Sequence, residues 1–166
     1  IPAAHSPQAK RPGINGANRL GGNSLSDLLV LGKRAGEYAA KYAKDHSAGS
    51  IANDQVEAAA RWALEPFERP VDENPFKVQQ DLQDMMQDLV GIVRREDEML
   101  RALDGLQKLK ARAVKASVTG HREYNPGWHT AMDLHNLLTV SEAITRAALA
   151  RQESRGGHFR DDYPEK

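Results

Sequence analysis

Residues 74–93 read NPFKVQQDLQDMMQDLVGIV. An asparagine followed by proline is a helix start. The asparagine caps the first free amides, and proline at the first helical position loses an N–H that had no partner anyway. Behind that start, Val78, Leu82, Met85, Met86, Leu89, Val90 and Val93 recur at helical spacing. One apolar stripe on a polar helix demands a neighbour, so the rest of the chain is searched for helices that supply it.

Two follow downstream. A break or kink over Arg94–Asp97 leads to a helix reaching about Thr119, with Met99, Leu103, Leu106, Ala113 and Val114 inward and Gly120 as the stop. A turn at Tyr124–Trp128, around Asn125-Pro126-Gly127, precedes a last helix from about Thr130 to Gln152. Its inward set is Leu134, Leu137, Leu138, Ile144 and Ala148. Three wide stripes on short connections predict an antiparallel three-helix bundle over Asn74–Gln152. Upstream, residues Asp54–Leu64 form a short helix that ends before Pro66, and the proline-rich stretch Phe67–Asn74 is a loop. A longer helix spans Leu25–Lys44, capped by Asn23, Ser24 or Ser26 with Asp27 in its first turn. Its face is rich in small residues, including Gly32, Ala35, Gly36 and Ala39, which let another backbone come close. No alternating β-branched run marks a strand. The fold class is therefore all-α: a glycine-rich turn, one or two further helices, the bundle, and an irregular polar C-terminal tail.

The chain has 166 residues, 23 basic and 23 acidic, with a formal net charge of zero. That balance gives no electrostatic reason to bind nucleic acid or an anionic membrane. The absence of cysteine removes disulfides, thiolate nucleophiles and cysteine-ligated clusters. No apolar run approaches the ~20 residues of a membrane span. Ile1 is not a natural start residue, and residues 1–12 carry three prolines and little apolar content. The chain reads as a fragment or a processed product with an extended or disordered lead-in.

Most chemistry-bearing side chains have plain explanations. His121, His129, His135 and His158 are badly spaced for a metal, since His129 and His135 at i, i+6 face different ways on a helix. Asp81, Asp84 and Asp88, with Glu96, Asp97 and Glu98, read as a solvated acidic face. Lys108, Lys110, Arg112 and Lys115 lack interleaved aromatics for nucleic acid and suit an acidic partner or the acidic helix beside them. Met85, Met86 and Met99 are core, and Trp128 packs at the start of the last helix.

The glycine-rich turn is the exception. Residues 15–25, NGANRLGGNSL, place Arg19 among Gly16, Gly21 and Gly22, directly before a helix N-terminus. Bare backbone amides and the helix dipole concentrate positive potential there, and a guanidinium grips a carboxylate with two parallel bonds. This segment closely resembles one in the flavoprotein subunits of succinate dehydrogenases and fumarate reductases, where a histidine usually stands at the place of Asn15. SDLLVLGKRAGEYAAKY continues the likeness, as do Glu65–Arg69, Asp84–Arg101 and Trp128–Leu149. So does the tail ESRGGHFRDDYP at residues 153–164. The resemblance covers about Gly13–Lys166.

It implies that Arg19 binds a carboxylate of a dicarboxylate substrate and that Ser24 and Leu25 contact FAD. It implies hydride transfer between succinate or fumarate and the flavin, with the proton moved by an arginine on a segment absent here. The GxGxxG fingerprint and the histidine that carries covalent FAD are also absent, so the isolated chain is expected to hold no FAD and no catalytic residue of its own. The implied partners are the rest of the flavoprotein subunit, an iron–sulfur subunit and the dicarboxylate. The implied location is cytoplasmic, with the parent attached peripherally to the inner face of the membrane through other subunits. The expected divisions are a lead-in at 1–12, the end of the FAD-binding domain at 13–50, a helical C-terminal domain at 51–152 and a tail at 153–166. The resemblance implies that the tail, with Arg155, His158 and Arg160, folds back near the active-site region or the capping domain in the parent, and it is expected to be mobile here. Two other readings remain. L-aspartate oxidase shares the ANRL core, although Gly21-Gly22 favours the dehydrogenase. A standalone helical interaction module would self-associate through the Leu25–Lys44 helix.

Overall fold

The computed structural model describes residues 23–165. Five helices appear: α1 (Asn23–Asp45), α2 (Asn53–Glu68), α3 (Pro75–Val90), α4 (Glu96–Ala113) and α5 (Pro126–Ala150). Two two-residue strands, β1 (Val93–Arg94) and β2 (Phe159–Arg160), complete the set. Two compact units emerge, one carrying α1 and residues 155–157, the other carrying α2 to α5, β1 and β2.

The second unit is the expected bundle of α3, α4 and α5, and its core shows the directions. One cluster joins Val78 and Leu82 of α3 to Leu106 and Leu109 of α4 and to Leu134 and Leu138 of α5. The other joins Val90, Met99, Ala102 and Ala148. The start of α3 therefore lies against the end of α4 and the first half of α5, so α4 runs antiparallel to both neighbours. Asn74 caps α3 as the sequence requires: its Oδ1 accepts from the Phe76 amide at 2.9 Å, with Pro75 at the first position.

Several boundaries differ from expectation, each for a local reason. α2 does not stop before Pro66 but continues to Glu68 with Pro66 buried inside it. Proline costs least near a helix end, and the carbonyls there find partners: the Arg69 amide donates to Glu65 O and the Val118 amide to Pro66 O. α4 ends at Ala113, short of Thr119. The chain instead turns and runs extended, with the Ser117 amide donating to Glu73 O at 3.1 Å, and Ala116, Ser117 and Val118 are buried. α5 begins at Pro126, ahead of Thr130, because Asn125-Pro126 repeats the device of Asn74-Pro75. Asn125 Oδ1 accepts from the Trp128 amide at 3.1 Å, and its Nδ2 donates to Thr119 O and His121 O.

The inward face of α5 also differs. Leu134, Leu138 and Ala148 are buried as expected, but Leu137 and Ile144 are exposed. Thr145 is fully buried in their stead, its hydroxyl donating to Ser141 O at 2.8 Å. A threonine that returns its proton to its own helix packs as an apolar residue does. Val93 leaves the α3 stripe for β1, which pairs in parallel with β2 through Val93↔Phe159 and Arg94↔Arg160. Two residues are too few for a strand signal to register in sequence. The tail lacks helix, yet it is pinned to the bundle rather than loose.

In the first unit, α1 carries no acidic residue in its first turn, so Asp27 sits beyond the position expected for it. A Cβ added at Gly32 or Gly36 would meet no described atom within 4 Å, so the small-residue face is open.

Candidate functional site

The residues assigned to substrate and flavin sit at one end of the chain. Arg19 lies outside the described residues. Ser24 falls in the first turn of α1. Leu25, the next residue, is 67% exposed. Leu28, Leu29, Tyr38 and Tyr42 are also exposed along this helix. The start of α1 thus presents a helix terminus free of acidic side chains together with uncovered apolar surface.

The second group is the tail, and here the structure brings side chains together that spacing alone could not. Arg160 is 0% exposed. Its Nη1 donates to the carbonyls of Ala148, Leu149 and Arg151 at 3.1–3.2 Å, which satisfies the end of α5. Its Nε and Nη2 donate to Asp162 Oδ1 and Oδ2 at 2.7 and 2.6 Å, a two-pronged pair. Tyr163 lies under the guanidinium, 4.9 Å from ring centre to Cζ. The Arg160 bond holds the Asp162 carboxyl well below the usual carboxylate range. Ser154 Oγ accepts from the Arg160 amide at 2.9 Å and lies 2.7 Å from Tyr163 O, so it ties the tail to itself. Arg94 of β1, which no sequence feature singled out, donates through Nε to Gly91 O and through Nη1 to His158 Nδ1.

Elsewhere the charged clusters resolve into struts. Arg112 joins Glu73 and Asp81 at 2.7 Å each, and Lys110 pairs with Glu142 across α4 and α5. The basic stretch of α4 therefore does meet acidic neighbours within its own unit. These partners lower the carboxyls of Glu73, Asp81 and Glu142 from their ordinary range, through hydrogen bonds to Arg112, Lys77 and Lys110 respectively. Among the described residues, no three histidine, aspartate or glutamate side chains gather as metal ligands. No described helix is long and apolar enough to cross a membrane. A hollow of about 310 Å³ lies between α2, α4 and α5, lined by Trp62, Pro66, Met132 and His135 among others. Its cations, Arg69 and Lys110, are held by Glu65 and Glu142. Trp128 ties α5 to α2, its indole N–H donating to Ala63 O at 2.6 Å.

The sequence profile named fumarate reductase flavoprotein C-term matches residues 79–166. A succinate dehydrogenase flavoprotein subunit from Coxiella burnetii is 38% identical, over 92% of this chain and 26% of its own length. A fumarate reductase flavoprotein subunit from Mycobacterium tuberculosis is 35% identical, over 92% of this chain and 28% of its own. The Mycobacterium smegmatis Sdh1 complex in its apo form contains a chain that superimposes with a TM-score of 0.86 at 54% identity, covering 90% of this chain and 26% of that one. The chain thus spans about a quarter of the length of the relatives it matches.

Proposed function

The chain belongs to the fumarate reductase flavoprotein C-terminal family, among the flavoprotein subunits of succinate dehydrogenases and fumarate reductases, and we propose that it is the C-terminal part of an enzyme interconverting succinate and fumarate. The observation that carries this is the family match over residues 79–166 together with NGANRLGGNSL at residues 15–25.

FAD, when bound, supplies the two-electron chemistry. The residues present fit one edge of it: the first turn of α1 holds no acidic side chain to repel an electron-rich group, and Leu25 is uncovered. Ser24 and Leu25 hold the flavin there, chiefly by backbone. Arg19 holds one substrate carboxylate through a two-pronged contact and so fixes the substrate's orientation. We assign the remaining helices to a helical C-terminal domain, 51–152, followed by a tail, 153–166. An iron–sulfur subunit is the proposed electron partner, and attachment to the membrane's inner face runs through other subunits. The 166-residue chain by itself, about a quarter of the length of its relatives, is expected neither to hold FAD tightly nor to turn over substrate.

The test uses the whole flavoprotein that contains this chain. Arg19→Gln is expected to lower kcat/KM for succinate about a hundredfold or more, the scale of losing one partner of a buried charge pair, while flavin absorbance is retained. Unchanged turnover would remove Arg19 from the site, and turnover of aspartate in preference to succinate would move the parent to L-aspartate oxidase. The 166-residue chain purified alone is expected to show no flavin absorbance. A stoichiometric yellow cofactor would overturn that expectation.

A further inference from the structure

The tail carries a buried imidazole with no part in the reading above. His158 is 4% exposed. Its Nδ1 lies 2.8 Å from Arg94 Nη1. A guanidinium can only donate, so Nδ1 must accept. Its Nε2 lies 3.2 Å from the carbonyl oxygen of Arg151. A carbonyl can only accept, so Nε2 carries the proton. The two contacts together admit one state, the neutral ring protonated at Nε2. A second proton on Nδ1 would set donor against donor at Arg94.

The charges around the ring agree. β1 brings Arg94, the residue before α4 is Arg95, the residue after α5 is Arg151, and β2 brings Arg160. Glu153 pairs with Arg151, Asp162 with Arg160, Asp161 with Arg95, and Glu96 at the start of α4 lies 3.8 Å from Arg160. The ring is held below its ordinary value of 6.5 first by burial, then by repulsion from Arg151, Arg94 and Arg160, against the opposing bond from the Arg151 carbonyl.

The same contact sits where the tail joins the bundle. The Asp161 amide donates to Arg94 O at 2.9 Å, and the Glu96 amide donates to Asp162 Oδ2 at 2.9 Å. Neither hydrophobic core cluster contains a tail residue, so this joint can part while the bundle stays folded.

We propose that His158 is an acid-sensitive latch: neutral, it clasps Arg94 and keeps β1 and β2 paired; protonated, it parts the pair at Phe159 and releases Arg94 Nη1, while Arg94 Nε stays on Gly91 O and Arg160 remains as the anchor. Opening uncovers the edge of β1, where Ile92 and Val93 are already exposed. The sign follows from linkage. The folded imidazole binds its proton less readily than the unfolded one, so the joint is fully held above the ordinary value of 6.5 and weakens as pH falls below it.

The test is amide exchange read by NMR on the full chain, corrected for the intrinsic pH dependence of exchange. Between about pH 7.5 and about pH 5, protection of the Asp161 amide is expected to fall about tenfold or more, while the amides of Leu106 and Leu138 hold theirs. His158→Gln retains an acceptor and a donor but cannot titrate, and it is expected to flatten the Asp161 response. Constant Asp161 protection in the native chain would overturn the latch. So would a response that survives in the H158Q variant, or one shared by Leu106 and Leu138. Should the variant not fold, ring ¹⁵N shifts of the native chain decide: a midpoint at or above 6.5 overturns the proposal, and a lower midpoint from an Nε2-protonated ring supports it.

Discussion

Arg160 shows how much one side chain can hold. It is the largest fully buried side chain of the described residues, and its guanidinium hydrogen bonds end on Asp162 of the tail or on carbonyls at the end of α5. Arg160→Met keeps most of the stem and deletes the donors. That strands the Asp162 carboxylate and the carbonyls of Ala148, Leu149 and Arg151. The expected cost is about 3 kcal/mol, the scale of breaking a buried charge pair by removing one partner. Urea denaturation checks it, as a lowered midpoint at unchanged slope, and an unmoved midpoint would contradict the role. Arg160→Lys is expected to fall between, since an ammonium keeps the charge but not the fork. The motif ESRGGHFRDDYP drew attention to Arg160 and His158, but nothing in the sequence paired either with its partners. Arg94 was illegible, because its role depends on a tail residue brought back across the bundle.

At the scale of single elements, helix starts were the most readable feature. Asn74-Pro75 reads as a helix start, whereas the identical pair Asn125-Pro126 reads as a turn because Gly127 follows it. The structure separates the two energetically. Asn74 satisfies one amide, while Asn125 satisfies one amide and two carbonyls of the preceding loop. Asn74→Ala is therefore expected to cost about 1 kcal/mol and Asn125→Ala about 2 kcal/mol, readable as the difference between their denaturation midpoints. Equal losses would mean that the loop from Thr119 to His121 needs no tether. The apolar stripes of α3 and α4 were legible because their period is strong, except at their last members, Val93 and Val114, which lie past the helix ends and are exposed. That of α5 was misread at Leu137 and Ile144, since an aliphatic residue outranks a threonine on any hydropathy scale. Thr145 won the core position by bonding to Ser141 O.

Across the whole molecule the fold class, the bundle and the family were legible, and the two-residue strands were not. The response to acid belongs to this scale too. Glu73, Asp81, Glu142 and Asp162 all have their carboxyls lowered by basic partners. Below the ordinary values of 4.5 and 3.8 the unfolded chain binds more protons than the folded one, so stability falls as pH drops through that range toward the folded values. Helical circular dichroism followed from about pH 5 to about pH 2 is expected to show the loss, diminished by added salt because these pairs are partly solvated. This step lies below the window of His158, so acid is expected to act first on the tail joint and then on the bundle. A single concerted transition would refute that order.

The parallel pairing of Val93 with Phe159 has a bearing on how the chain assembles. The contacts of α3 with α4 are near in sequence and form early, while β1 can pair only after α4 and α5 have both been laid down. Closing so long a loop for two residues of ladder is an entropic expense met only when the helices have already brought the ends together. The clasp is thus a late event, and a chain caught without it would be a folded bundle with one raw strand edge open to any passing backbone.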